Sequence, residues 1–224
     1  MRLDLYLVTD PDLTAGRPLL QVVAAALEGG VTAVQLRDKR AAPRDLLALG
    51  AEMRRIARRH QATFIVNDRV DLALALDADG VHVGAEDLPP LEARRLAPRP
   101  RLVGVSAGTV QEAQSAERAG ADYLGAGPVF ATATKAYAAG EPIGLSGLAA
   151  IASAVSIPVV GIGGIDSGNA SSVIEVGAAG VAVISAIVGA RDPEAAAREI
   201  LSRVREALGR RGALGPAAEG RPER

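Results

Sequence analysis

The chain predicts a (β/α)8 TIM barrel in one domain, on three observations. Short apolar, β-branched runs alternate with longer Ala-, Leu- and Arg-rich runs of helical period along almost the whole sequence. The strand-like runs are apolar on both faces rather than alternating, which marks a parallel sheet covered by helices. Four junctions also repeat one pattern of helix end, glycine, turn and strand: Glu28-Gly-Gly-Val-Thr-Ala-Val, Asp77-Ala-Asp-Gly-Val-His-Val, Ala119-Gly-Ala-Asp-Tyr-Leu-Gly and Val176-Gly-Ala-Ala-Gly-Val-Ala-Val. Glycine there is expected to supply the left-handed residue that ends a helix. Eight such units in about 210 residues suit the barrel, whereas a doubly wound open sheet has fewer strands and leaves edges.

Taken in order, the first strand is Asp4–Val8, and its helix, Pro18–Glu28, stops at Gly29-Gly30. Ala33–Leu36 is the second strand. A charged loop leads to the helix Pro43–Arg59, with proline in the first turn where its missing N–H costs nothing. Thr63–Val66 and the short helix Arg69–Leu76 follow, then Gly80–Val83 with Pro90–Leu96 and Leu102–Val105 with Val110–Ala119. The sixth strand, Tyr123–Ala126, opens into a long loop before the helix Ser146–Ala154. Val159–Gly161 with Asn169–Val176 and Gly180–Ile184 with Pro193–Leu208 complete the set. The barrel thus spans residues 1–208, and Gly209–Arg224, rich in Gly, Pro, Ala, Arg and Glu without period, reads as a flexible tail.

Composition excludes several classes of function. The net charge of −1 gives no general attraction to nucleic acid or membrane. Cysteine is absent, so there is no disulfide, thiolate metal site or thiol nucleophile. Met1-Arg2-Leu3-Asp4 runs straight into a strand with nothing resembling a signal peptide. No apolar run approaches the roughly 18 residues of a membrane helix. A cytoplasmic protein is expected, with its homo-oligomeric state left open. Aromatics are 2% of residues, so Leu, Val, Ile and Ala must build the core.

In a barrel of this kind the loops after the strands form the active face. The chain has 25 Lys+Arg, yet only Lys39 and Lys135 are lysine, and both follow predicted strands. Lysine's compact, strongly hydrated charge is not copied by arginine. Lys135 ends Gly127-Pro-Val-Phe-Ala-Thr-Ala-Thr-Lys, where the Thr132 and Thr134 hydroxyls and an ammonium suit phosphate oxygens. Arg37 and Lys39, alternating with Asp38, place two cations on one loop, enough for a diphosphate; a solvated charge run is the plainer alternative. Gly163-Gly164 after the seventh strand and Ile184-Ser185 after the eighth occupy the positions where such barrels bind phosphate, although glycines also serve tight turns. Asp68 and Asp87 end neighbouring strands; they suit Mg²⁺ shared with a substrate phosphate, or else helix capping. Asn67 either meets a planar heterocycle or closes a turn. His82, in mid-strand between Val81 and Val83, reads as a satisfied structural histidine.

Together these segments resemble the thiamine-phosphate synthase family. The resemblance is carried by Leu5-Tyr-Leu-Val-Thr-Asp10, Val34-Gln-Leu-Arg-Asp-Lys39, Asn67-Asp68, Asp79-Gly-Val-His-Val-Gly84 with Glu86-Asp87, Gly104-Val-Ser106, Gly127–Lys135, Gly161-Ile-Gly-Gly-Ile165 and Val183-Ile-Ser185, in order and across all but the tail. It implies a (β/α)8 barrel joining hydroxymethylpyrimidine diphosphate to a thiazole phosphate with release of diphosphate. It further implies that Gln35, Leu36, Arg37, Asp38, Lys39, Asn67, Ser106 and Lys135 meet the pyrimidine diphosphate, with Lys135, Lys39, Arg37 and Ser106 acting on the leaving group. Asp68 and Asp87 would bind Mg²⁺. Thr132, Ala133, Thr134, Gly164, Ile184 and Ser185 would hold the thiazole phosphate. Ala85 departs from the family, which often has glutamine before the Glu-Asp pair.

Two rivals are weighed against this. A thiazole tautomerase on the same barrel needs no diphosphate site, so Lys39, Asp68 and Asp87 argue against it. A non-catalytic sensor of a thiazole phosphate has no need of Asn67, Asp68, Asp87 and Lys135.

Overall fold

The computed structural model describes residues 1–132 and 141–214. Eight strands close into a parallel barrel in sequence order, with β1 pairing both β2 and β8. They are β1 Leu5–Val8, β2 Ala33–Leu36, β3 Thr63–Asn67, β4 Gly80–Val83, β5 Leu102–Ala107, β6 Tyr123–Ala126, β7 Val159–Ile162 and β8 Gly180–Val183. The helices are α1 Leu19–Glu28, α2 Pro43–Arg59, α3 Val70–Ala75, α4 Pro90–Leu96, α5 Val110–Arg118, α6 Gly144–Ala154, α7 Ala170–Glu175, α8 Ser185–Val188 and α9 Pro193–Leu214. A 3-10 turn, Pro11–Leu13, follows β1. Closure pairs every strand on both sides, so no edge is exposed. The buried core is overwhelmingly aliphatic, with Tyr123 and Phe64 its largest fully buried side chains.

Three of the four repeated junctions turn on glycine as expected: Gly30, Gly120 and Gly177 have φ of 100°, 92° and 116°. The fourth differs. Its left-handed residue is Asp77, with φ 47°, while Gly80 already belongs to β4. Gly80 is needed there for space, because a Cβ would lie 2.6 Å from the Leu102 carbonyl oxygen.

Other differences lie at element ends. β3 takes in Asn67, and β5 runs on through Ser106, so both site candidates stand on rigid strands rather than in loops. The four-residue α8, too short to leave a periodic signal, inserts after β8. α9 continues past Leu208, so Gly209–Leu214 belongs to a helix and not to a tail. Arg211 Nη1 donates to the carbonyls of Ile174 (2.9 Å) and Ala178 (2.7 Å), and Arg210 pairs with Glu175 at 2.8 Å. These contacts hold the last turns against α7 despite two glycines of low helical propensity. Residues 215–224 lie outside the described residues. No helix, among the described residues, is long and apolar enough to cross a membrane.

Candidate active site

A cavity of about 370 Å³ opens at the C-terminal ends of the strands. Lys39 after β2, Asn67-Asp68 at β3, His82 on β4, Asp87 after it and Ser106 on β5 line one part. Thr132 after β6, Ile162 at the end of β7 with Gly163-Gly164 after it, and Ile184 after β8 line the rest. Residues from seven strand ends, far apart in sequence, therefore share one mouth.

The acidic pair is held by backbone geometry. Asp68 has φ 61°, in the left-handed region that asparagine and aspartate enter more readily than bulkier residues. Its N–H donates to the His82 carbonyl at 2.8 Å, and the Arg69 N–H donates to the Asn67 carbonyl at 2.7 Å. Neither carboxylate caps a helix: Arg69 and Pro89 occupy the N-cap positions of α3 and α4, without side-chain caps. Asp87 Oδ2 accepts the Gly84 N–H at 2.8 Å, which closes the β4 loop and brings its carboxylate against that of Asp68. Burial, together with the hydrogen bond and negative charge of Asp87, pushes the Asp68 pKa up to about 6, against the opposing pull of Lys39 and Asn67. Lys39 Nζ lies 3.8 Å from Asp68 Oδ2. Among the described residues, two crowded carboxylates have one ammonium nearby, a donor set of hard oxygens that would suit a divalent cation. Among the described residues no group of three or more His, Asp or Glu gathers as a self-sufficient metal cage. A cation here would rely on substrate oxygens as well.

The opposite wall is built from backbone. Gly163 and Gly164 have φ of 100° and 64°. A Cβ on Gly163 would stand 2.7 Å from Pro128 Cα, and one on Gly164 2.7 Å from the Ala131 carbonyl oxygen. The glycines let the loop after β6 lie directly on the turn after β7. Val129 and Phe130 donate their N–H groups to the Ile162 and Gly163 carbonyls at 2.9 and 3.0 Å. On the return, Ile143 and Gly144 donate to the Pro128 and Val129 carbonyls at 2.8 and 3.2 Å. Both flanks of the threonine-lysine segment are thus fixed at the cavity. Ala133, Thr134 and Lys135 themselves lie outside the described residues.

The remaining candidates stand outside the cavity lining. Leu36 turns its side chain outward, since a Cβ on Gly50 of α2 would come within 3.0 Å of Leu36 Cδ2; only its main chain remains for a ligand. Asp38 does not face a ligand with its Oδ1, which accepts the N–H groups of Arg40 (2.9 Å) and Ala41 (3.1 Å) and closes the loop. Arg37 is not an exposed loop cation: it is buried, and Nη1 bonds Asp10 Oδ2 at 3.0 Å, while its main chain exchanges hydrogen bonds with the Thr9 hydroxyl. Ser185 begins α8 and is exposed beside Ile184. Gln35 is buried below the cavity, and its Nε2 donates to the Tyr6 hydroxyl at 2.6 Å.

Sequence reasoning gave no role to Asp10, Tyr6 and Tyr123, and it underrated His82. The histidine is satisfied, as expected, but within the site: Nδ1 meets the Tyr123 hydroxyl at 3.1 Å and Nε2 meets Ser106 Oγ at 3.0 Å. A polar or aromatic residue at the inward position of β1, β2, β4 and β6 was the available signal.

The sequence and the fold are similar to those of known proteins. The sequence profile of the thiamine monophosphate synthase family matches residues 5–187. The thiamine-phosphate synthase of Moorella thermoacetica is 55% identical over 207 residues, covering 92% of this chain and 98% of that protein. That of Chloroflexus aurantiacus is 54% identical over 200 residues, covering 89% and 92%. The solved thiamine phosphate pyrophosphorylase from Pyrococcus furiosus superposes with a TM-score of 0.86 at 46% identity, covering 92% of this chain and 98% of that one. A 3-hexulose-6-phosphate synthase, 20% identical with a TM-score of 0.67, shares the fold alone. Coverage of nearly the whole chain, at identities near one half, shows that the protein belongs to the thiamine monophosphate synthase family of transferases.

Proposed function

We propose that the chain joins 4-amino-2-methyl-5-hydroxymethylpyrimidine diphosphate to a thiazole phosphate, forming thiamine monophosphate and releasing diphosphate. The observation that carries this reading is the gathering of Lys39, Asp68, Asp87 and Ser106 opposite Thr132, Gly163, Gly164 and Ile184 in one cavity. One wall suits a diphosphate, and the other suits a phosphate monoester held by main chain and hydroxyls.

Asp68 and Asp87 would hold Mg²⁺, which when bound supplies positive charge to the diphosphate oxygens. Lys39 adds an ammonium beside Asp68, and Lys135, in the segment that follows β6 in sequence, is assigned the same work. Arg37, anchored on Asp10, stiffens the loop that presents Lys39. Ser106 offers a hydroxyl at the floor. In this reading the carbon–oxygen bond to diphosphate breaks first, and the thiazole nitrogen captures the resulting pyrimidine-methyl cation. No protein nucleophile is then required. The residues stabilise departing negative charge and hold the two reactants in line. A tautomerase would have no use for the Lys39–Asp68–Asp87 group.

A turnover assay with both substrates and Mg²⁺ tests the reading. Formation of thiamine monophosphate and diphosphate in equal amounts is expected. Isomerisation of the thiazole phosphate without condensation would contradict it. Lys135→Ala is expected to lower kcat with little change in KM, and Asp68→Ala to raise the Mg²⁺ concentration needed for half-maximal rate.

A further inference from the structure

Five polar side chains from five strands form one continuous chain through the barrel. Gln35 Nε2 on β2 bonds the Tyr6 hydroxyl on β1 at 2.6 Å, and Tyr6 bonds the Tyr123 hydroxyl on β6 at 3.0 Å. Tyr123 bonds His82 Nδ1 on β4 at 3.1 Å, and His82 Nε2 bonds Ser106 Oγ on β5 at 3.0 Å. Room for it is built in. Gly104, paired with both His82 and Tyr123 across the sheet, has no side chain, and a Cβ there would lie 2.4 Å from the Tyr123 hydroxyl oxygen. Glycine at Gly125 gives the same clearance to the His82 ring, 3.0 Å from where a Cβ would sit.

We propose that this chain is directional, and that it makes His82 and Tyr123 positioning residues which set Ser106 as a hydrogen-bond donor into the cavity. The direction follows from counting hydrogens. An amide nitrogen only donates, so the Tyr6 oxygen accepts from Gln35. Tyr6 then gives its single hydrogen to Tyr123; were it to accept there as well, its buried hydrogen would have no acceptor among the described residues. Tyr123 in turn gives its hydrogen to His82 Nδ1. Neutral His82 therefore carries its proton on Nε2 and donates to Ser106 Oγ. The Ser106 hydroxyl hydrogen is left to point into the cavity, where Ser106 is exposed. Burial raises the pKa of both phenols far above neutrality, so both hydrogens are present at working pH. A hydroxyl that receives one hydrogen bond and donates another polarises toward an anionic oxygen. This consequence rests on the diphosphate reading above; the direction of the chain does not.

The direction can be read on the substrate-free protein. The chain has only two histidines, His60 and His82, so long-range ¹⁵N–¹H correlation spectra resolve each ring. The neutral Nε2–H tautomer is expected for His82. The Nδ1–H tautomer would overturn the proposal, because it means that the Gln35 carbonyl faces Tyr6 and that every bond in the chain is reversed. In turnover, Tyr123→Phe and Tyr6→Phe are each expected to lower kcat by roughly three- to tenfold, the loss of one ordered hydrogen bond, with KM within about twofold. His82→Gln, which retains an acceptor and a donor, is expected to recover most of the rate lost in His82→Ala. Tyr123→Phe added to Ser106→Ala should cost nothing more. Independent, multiplying losses would contradict action through Ser106. Loss of Mg²⁺-dependent diphosphate binding with the Nε2–H tautomer intact would sink the site reading and leave the relay standing.

Discussion

Two aspartates in the left-handed conformation sit at opposite ends of the barrel. Asp77, φ 47°, precedes β4 at the base; Asp68, φ 61°, follows β3 at the mouth. Both turn the backbone sharply, yet their surroundings differ in charge. Asp77 is exposed and paired with Arg54, with Arg101 at 3.0 Å and with Arg58 at 3.6 Å. Asp68 is three-quarters covered, has a second carboxylate against it, and among the described residues its nearest cation, Lys39, stands 3.8 Å away. At the base, charge is balanced by the protein. At the mouth the described residues do not balance it, and an incoming divalent cation would, leaving positive charge to meet a diphosphate. Unbalanced charge held by rigid backbone separates a site from a scaffold better than the residue type does.

The largest effect expected from this contrast is on catalysis. Asp68→Asn keeps the shape and removes the charge, and kcat/KM at fixed Mg²⁺ should fall by about a hundredfold or more, as when one preorganised electrostatic group is removed. Asp77→Asn should leave kcat/KM within about twofold, because it lines no part of the cavity. Equal losses in the two variants would erase the distinction.

A second contrast concerns glycines. Gly164→Ala places a Cβ 2.7 Å from the Ala131 carbonyl in a left-handed residue, so the loop after β6 must move. The KM for the thiazole phosphate should rise by about tenfold or more, read from initial rates, since a displacement near 1 Å at a positioning group can cost more than that. Gly209→Ala on α9 meets nothing within 4 Å and should stabilise the fold by up to about 1 kcal/mol in denaturant titration.

A smaller effect is visible in stability against pH. Burial and the neighbouring Asp87 raise the Asp68 carboxyl from its ordinary 3.8 to about 6 in the folded protein, so the folded state binds more protons than the unfolded chain between those values. Stability of the metal-free protein should therefore fall as pH rises from about 4 to 6, by on the order of 1–2 kcal/mol after allowing for solvent access. Asp68→Asn should flatten that fall and be more stable than the parent at pH 7. Mg²⁺ affinity should move the other way, rising with pH through about 6 because the ion competes with a proton. A parent protein whose metal-free stability is level from pH 4 to 6 would contradict the crowding of the two carboxylates.

The sequence made the barrel legible because each apolar run has strand length and each Ala/Leu/Arg run has helical period. The ends failed where a local rule was outweighed. α9 runs through Gly209 because Arg210 and Arg211 tie it to α7 and its neighbouring loop, contacts remote in sequence. α8 is one turn long and leaves no period. Within the site, Lys39, Asn67, Asp68, Asp87, Ser106, Thr132, Gly164 and Ile184 stood out because unusual residues follow strands. Asp38 and Leu36 belonged to the same motif, yet one closes its own loop and the other faces a helix; a motif does not tell a ligand-facing side chain from one that supports it. The Tyr6–Tyr123–His82 chain was hidden because its partners lie on strands that are not neighbours in the sheet and meet across the barrel interior, a relation that no spacing along the chain encodes.

The central claim is that Lys39, Asp68 and Asp87 form a diphosphate site that requires a divalent cation. Titration calorimetry of inorganic diphosphate into the parent protein and into the Asp68→Asn, Asp87→Asn double variant tests it most directly. Binding to the parent that depends on Mg²⁺ and is abolished in the double variant is the result expected. Equal binding with Mg²⁺ and with a chelator, or binding unchanged in the double variant, would contradict it.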